Sequence, residues 1–215
     1  PVSWKDAREF LQANSRAIKT APTEELALIS AGAATSATGE RCFHFGNLRS
    51  QISEITYLNS EAETIVLKRD KKIDHFEGKE QYDQEFSKYA EFKNAPFPRL
   101  ENETDLLIGT EGQLGVITEL IIETAPDQSV THLFMLLPKW EENDAPHLEV
   151  NSKIQNFRDS VILCELIDEN SFSFLPPEER PNQGMDAIFF EVIADKFDDF
   201  YEKFLLDLSF LNEEL

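Results

Sequence analysis

Apolar residues recur along this chain in two rhythms, and the alternation between them predicts most of its elements. Trp4, Ala7, Phe10 and Leu11 fall at the three-and-four spacing of a helix face, which predicts a helix over residues 3–13 ending near Asn14. Ser3 is its N-cap, with Asp6 three residues on. A short helix is expected at Thr23-Glu24-Glu25-Leu26. Ile52, Ile55, Tyr57 and Leu58, then Ile65, Val66 and Leu67, read as two strands of a hairpin around Asn59-Ser60-Glu61. Tyr82, Phe86, Tyr89 and Phe92 share one face of a helix stopped by Ala95-Pro96-Phe97-Pro98, and Val116, Ile117, Leu120, Ile121 and Ile122 suit a strand buried on at least one face.

The rhythm restarts after Ala125-Pro126-Asp127, which marks the expected boundary between domains at residues 1–127 and 128–215. Beyond it, strands are expected at 133–137, 161–167 and 187–193, with a helix at 150–157. Phe197, Phe200, Tyr201, Phe204, Leu205, Leu208 and Leu211 predict one long amphipathic helix. The β-α-β-β-α order is a ferredoxin-like layer one strand short, so the fold class is α+β.

Composition narrows the field. A hydrophobic content of 41% with 17 Phe in 215 residues supplies material for a core. The formal charge of −21, from 41 acidic against 20 basic residues, opposes attraction to phosphates or anionic lipids, so nucleic acid is not an expected partner. Cys42 and Cys164 are too few for a disulfide framework, and no zinc or other metal site is legible. No apolar run reaches the roughly 20 residues needed to cross a bilayer, and no signal-peptide pattern opens the chain. A cytoplasmic location is expected, with peripheral membrane association left open.

The densest signal is the stretch Gly109-Thr110-Glu111-Gly112-Gln113-Leu114-Gly115, which runs into the apolar strand. Glycines spaced by three permit a positive φ or a close approach to the main chain, so the pattern fits either a tight structural turn or a loop approached by a cofactor. Upstream, residues 30–39 are almost wholly Ala, Ser, Thr and Gly, which on composition alone fits a close-packed turn or linker.

The first stretch with Val116-Ile117-Thr118 resembles the G-[ST]-E-G-x-L-G-[IV]-[IV]-T segment of FAD-linked oxidases of the vanillyl-alcohol oxidase and p-cresol methylhydroxylase (PCMH) type. Ala34-Thr35-Ser36-Ala37-Thr38-Gly39 and Phe45-Gly46-Asn47-Leu48-Arg49 are similar to that family's A-T-N-A-G-G and [YF]-G-x-x-R, in the same order. Glu165-Leu166-Ile167-Asp168 resembles the E-L-[LI]-D of the cap domain in the branch containing D-lactate dehydrogenases and the glycolate oxidase D subunit.

The resemblance implies that residues 1–127 are the second half of a PCMH-type FAD-binding domain and 128–215 an incomplete cap, or substrate, domain. It implies FAD as cofactor and oxidation of a small hydroxylated substrate, often a 2-hydroxy acid, by hydride transfer to it. The cofactor-binding residues it implies are Gly32, Ala34, Thr35, Ser36, Gly39, Gly46, Gly109, Glu111, Gly112, Gly115, Val116 and Ile117. Glu111 is expected to brace the loop through its carboxylate while backbone groups of Gly112, Gly115, Val116 and Ile117 face the flavin.

Departures from the pattern set a competing expectation. Ser30-Ala31 stand where the family has a glycine pair, Ser36 replaces Asn and Thr38 replaces Gly, and the glycine-rich pyrophosphate loop has no counterpart. The chain is therefore expected to be an interior piece whose partner is the remainder of its own polypeptide. The alternative is a non-catalytic acidic interaction module that keeps the fold without flavin.

The remaining candidates have ordinary explanations. Cys42 and His44 are expected on one face of an extended segment, packed rather than reactive, and His75, His132 and His147 are scattered. Glu165 and Asp168, three apart in a strand, point to opposite faces and do not act jointly. No catalytic residue is assigned, because in that branch the base and carboxylate-binding cations lie largely beyond residue 215.

Overall fold

The computed structural model describes residues 1–89, 100–180 and 184–212, and the chain divides into two compact units, Pro1–Asp127 and Gln128–Leu215. The first contains α1 (Trp4–Gln12), β1 (Arg16–Ile18), α2 (Ile29–Ala34), α3 (Cys42–Phe45), β2 (Ile52–Leu58), β3 (Thr64–Lys68), α4 (Lys79–Ser87), β4 (Val116–Ile122) and β5 (Thr124–Pro126). Its main sheet has the order β3-β2-β4, antiparallel throughout, and a small second sheet joins β1 to β5. Trp4, Ile52, Ile55, Leu48, Leu107 and Ile108 are fully buried at its centre.

Local chemistry explains most of these elements. The Ser3–Asp6 capping box opens α1 as predicted. The hairpin also forms as predicted: Asn59 Oδ1 accepts from the N–H groups of Glu61 and Glu63, both at 2.9 Å, and so holds the turn. The segment expected as a helix at Thr23-Glu24-Glu25-Leu26 is a turn instead. Two N–H groups in the first turn of α1 explain it: those of Trp4 and Lys5 donate to the carbonyls of Ala27 and Glu25, which a helix would have kept for itself. The helix begins later, as α2 at Ile29, and takes in the first half of the small-residue run that on composition alone fits a turn or linker. Of the aromatic helix, α4 carries Tyr82 and Phe86, whose rings stack at 5.7 Å. Tyr89 lies beyond its end, and Phe92 and the proline stop fall outside the described residues.

The second unit contains β6 (Val130–Pro138), α5 (Ala145–Ile154), β7 (Val161–Ile167), α6 (Glu169–Phe172), β8 (Met185–Ile193), α7 (Phe197–Lys203) and α8 (Ser209–Asn212). The predicted strands form one antiparallel sheet, β6-β8-β7, with the third strand between the first and second. Phe190 of the central strand packs against Phe200 and Phe204, and all three are fully buried. The long helix expected over residues 197–211 is broken into α7, a 3-10 turn at Leu205–Asp207 and α8. Leu208 turns extended while staying fully buried, and Glu149 of α5 accepts from Ser209 through both its N–H, at 3.0 Å, and its hydroxyl, at 2.6 Å. A carboxylate that binds the start of the next turn favours the break.

Candidate cofactor site

The two motifs, more than seventy residues apart in sequence, meet at the C-terminus of α2. The N–H of Gly109 donates to the Ala33 carbonyl at 3.1 Å, and that of Glu111 to the Ala34 carbonyl at 2.9 Å. These carbonyls belong to the last turn of the helix; that of Ala33 also accepts from the Ser36 N–H at 3.1 Å, and the loop completes the cap. Ser36, with φ 51°, and Glu111, with φ 53°, both take the left-handed conformation that lets the chain reverse on each side of the contact. Gly109 needs its glycine here: φ is +81°, and a Cβ would lie 3.3 Å from that of Ser36.

A buried ion pair ties the same region to the [YF]-G-x-x-R-like segment. Arg49 Nη1 donates to Asp105 Oδ1 at 2.8 Å, with the Asp105 side chain 4% exposed. The second carboxylate oxygen accepts from the N–H groups of Glu101 and Asn102, both at 2.9 Å. Asp105 was not foreseen from the motif. Its signal was the Asn102-x-x-Asp105 spacing of a capping box, which the structure contains.

The remaining glycines divide by what surrounds them. Gly32 lies inside α2, where a Cβ would come 2.9 Å from the Trp4 ring. A Cβ on Gly39 would reach the Ala21 carbonyl oxygen at 2.3 Å, and the Gly46 carbonyl accepts from Thr20 Oγ1 at 2.7 Å. At Gly115 a Cβ would stand 2.3 Å from the Leu58 carbonyl and 2.7 Å from the Tyr57 ring, so the sheet itself requires this glycine whatever binds nearby. Gly112 is different. Its φ is +81°, the nearest atom to an added Cβ is 4.0 Å away, and the N–H groups of Gly112 and Leu114 make no hydrogen bond among the described residues. Two unclaimed donors at an exposed loop apex fit an anionic or carbonyl-bearing group such as a flavin presents.

Other expected residues separate from this cluster or change role. Thr35 caps α2 through its hydroxyl, which donates to the Ala31 carbonyl at 2.9 Å. Val116 and Ile117 line an apolar groove along β4. Glu111 does not brace the loop through its carboxylate, which is exposed and has no hydrogen bond among the described residues; its backbone N–H does so instead. Cys42 and His44 lie in a helical turn, not an extended segment, so their side chains are about 160° apart around its axis. Cys42 Sγ accepts from the Gly39 N–H at 3.4 Å. Burial, with Glu165 adding to it, pushes the Cys164 thiol up to about 12, which keeps it unreactive. Asp168 lies outside the strand as the N-cap of α6, accepting from the Ser171 N–H at 2.8 Å, so the expected opposite-face pairing with Glu165 does not arise.

No family model and no curated protein matches the sequence. Two solved structures of alkyldihydroxyacetonephosphate synthase, in different crystal forms, are similar to 96% of this chain, with TM-scores of 0.66 and 0.64 and 14% identity in each case. The chain, of mixed helix and sheet, shares its fold with part of those structures. The chain spans little more than a third of those structures' own length, 36% and 38%. Among the described residues no helix is long and apolar enough to cross a membrane, and no group of His, Cys, Asp and Glu is placed to hold a metal ion.

Proposed function

We propose that the chain is part of a flavin-dependent oxidoreductase that oxidises a small hydroxylated substrate, a 2-hydroxy acid, with FAD as hydride acceptor. The single observation that carries this reading is the convergence of the two motifs: the loop from Gly109 to Gly115 caps α2 and leaves the Gly112 and Leu114 N–H groups unclaimed at its apex. On this reading Pro1–Asp127 supplies part of the FAD-binding domain and Gln128–Leu215 part of the cap.

The roles divide in two. Ala34, Thr35 and Ser36 with Gly109, Glu111 and Gly112 form the cradle, and the Gly112 and Leu114 N–H groups donate to the cofactor. Gly32, Gly39, Gly46 and Gly115 shape the support beneath it, and Arg49 with Asp105 fixes the distance between its halves. When bound, FAD supplies the electron chemistry by taking the hydride from the carbon that bears the hydroxyl. The protein residues bind, orient and limit access of water.

The test uses protein isolated from its natural source. A flavin absorbance band that bleaches under anaerobic addition of a 2-hydroxy acid is the expected result. Colourless protein that cannot take up FAD overturns the reading in favour of the interaction module, and a flavin reduced only by simple alcohols overturns the substrate assignment.

A further inference from the structure

A carboxylate buried near the start of β8 holds three neighbouring segments of the second unit. Asp186, 3% exposed, accepts the Trp140 N–H on Oδ2 and the Glu169 N–H on Oδ1, both at 2.9 Å. The same Oδ2 lies 3.1 Å from Nε2 of His147, itself 4% exposed. Asp186 thus joins the turn after β6, the first turn of α5 and the start of α6 to the central strand. A carboxylate offers only lone pairs, so the proton of a neutral His147 sits on Nε2.

The other ring nitrogen has no such partner. Nδ1 is buried without a hydrogen bond, and the Trp140 ring packs against the imidazole at 5.3 Å, edge to face. Charging the imidazole adds a proton there, turning an unpaired acceptor into an unpaired donor that carries charge, the costlier of the two to bury. His147 is also the third residue of α5, close to the positive end of the helix, which opposes a cation. Asp186 pulls the other way, but two backbone N–H groups already share its charge. The other charged groups on the surrounding elements are Lys139, Glu141 and Glu142 before α5, Asp144 at its N-cap, and Asp168 and Glu169 at α6. Among the described residues none of them bonds the ring: Lys139 pairs with Glu169 at 3.1 Å, and Asp168 accepts from Ser171.

We propose that His147 is an acid-operated latch of the second unit. Neutral, it fills the space between Asp186 and Trp140; charged, it turns out to water, where the Nδ1 proton finds a partner, and the Trp140 turn and the start of α6 loosen with it.

Nitrogen-15 spectra of the 215-residue chain read both ring nitrogens and every backbone amide in one sample, from about pH 7.5 to about pH 5. At the upper end Nε2 is expected to carry the proton and Nδ1 none. As Nδ1 gains its proton, hydrogen-exchange protection factors at the Trp140 and Glu169 amides should fall about tenfold, while those of Ile188 and Phe190 stay constant. His147→Gln keeps a donor for Asp186 but cannot charge, so its protection at the same two amides should not change over the range. A ring that stays neutral throughout, or one that charges while both amides keep their protection, overturns the proposal without any variant. An equal loss of protection in His147→Gln overturns it too, by assigning the response to another group.

Discussion

The two units reach stability by different means. Among the described residues, the five non-glycine residues with positive φ, namely Ser15, Ser36, Arg41, Ala62 and Glu111, lie in the first, along with every left-handed glycine except Gly184. The second is regular: its central strand β8 is buried almost throughout, and three phenylalanines close the core above it. Backbone held in sparsely populated conformations costs free energy and persists only where its surroundings enforce it. The first unit carries part of that cost at the α2–loop contact, through Ser36 and Glu111, and part in turns elsewhere, whereas the second spends little outside ordinary packing.

The sharpest way to break this contrast is at Gly115. Gly115→Val should destabilise the first unit by about 3 kcal/mol or more, because the branched side chain collides with the Leu58 carbonyl. Residue-resolved hydrogen exchange should show protection lost in β2 and β4 but kept in β8; unchanged protection would remove the close sheet approach from the account.

Next in size is the buried ion pair. Asp105→Ala leaves Arg49 short of its carboxylate and frees two backbone N–H groups, at a cost of about 3 kcal/mol. Urea unfolding of the variant should show this, and a loss below about 1 kcal/mol would mean the pair is not what joins the motifs.

Gly112→Ala should cost only about 1 kcal/mol, the penalty for an alanine at positive φ with open space around it. A loss as large as at Gly115 would erase the distinction between supporting and ligand-facing glycines.

The smallest effect belongs to the second unit and to pH. Burial alone would raise the Glu149 carboxyl, but Lys153 and the Ser209 hydroxyl and N–H bring it down from 4.5 to about 2. A folded-state value below the unfolded one gives stability that is present above pH 4.5 and lost as pH falls towards 2. Glu149→Gln should therefore lower the second unit's melting temperature at neutral pH, and the difference from the parent should shrink as pH falls through that window.

Much of this was legible in the sequence wherever the cause was local. The Ser3–Asp6 cap, the Asn59 turn and the alternation of β6 and β8 depend on neighbours a few residues away. The misreadings came from distant partners. Lys5 claims the Glu25 carbonyl and turns a predicted helix into a turn, and Glu149 reaches Ser209 to break the last helix. Motif spacing singled out the candidate glycines but could not rank them, because what crowds Gly39 and Gly115 are the carbonyls of Ala21 and Leu58.

The central claim, that the loop apex receives a flavin, is tested most directly by titrating the ¹⁵N-labelled chain with FAD and following every backbone amide. Weak binding is predicted, with the largest shifts at Gly112 and Leu114 and none at Ala187 or Val192. Saturable shifts confined to the second unit, or FAD binding that leaves Gly112 and Leu114 unmoved, would contradict the account.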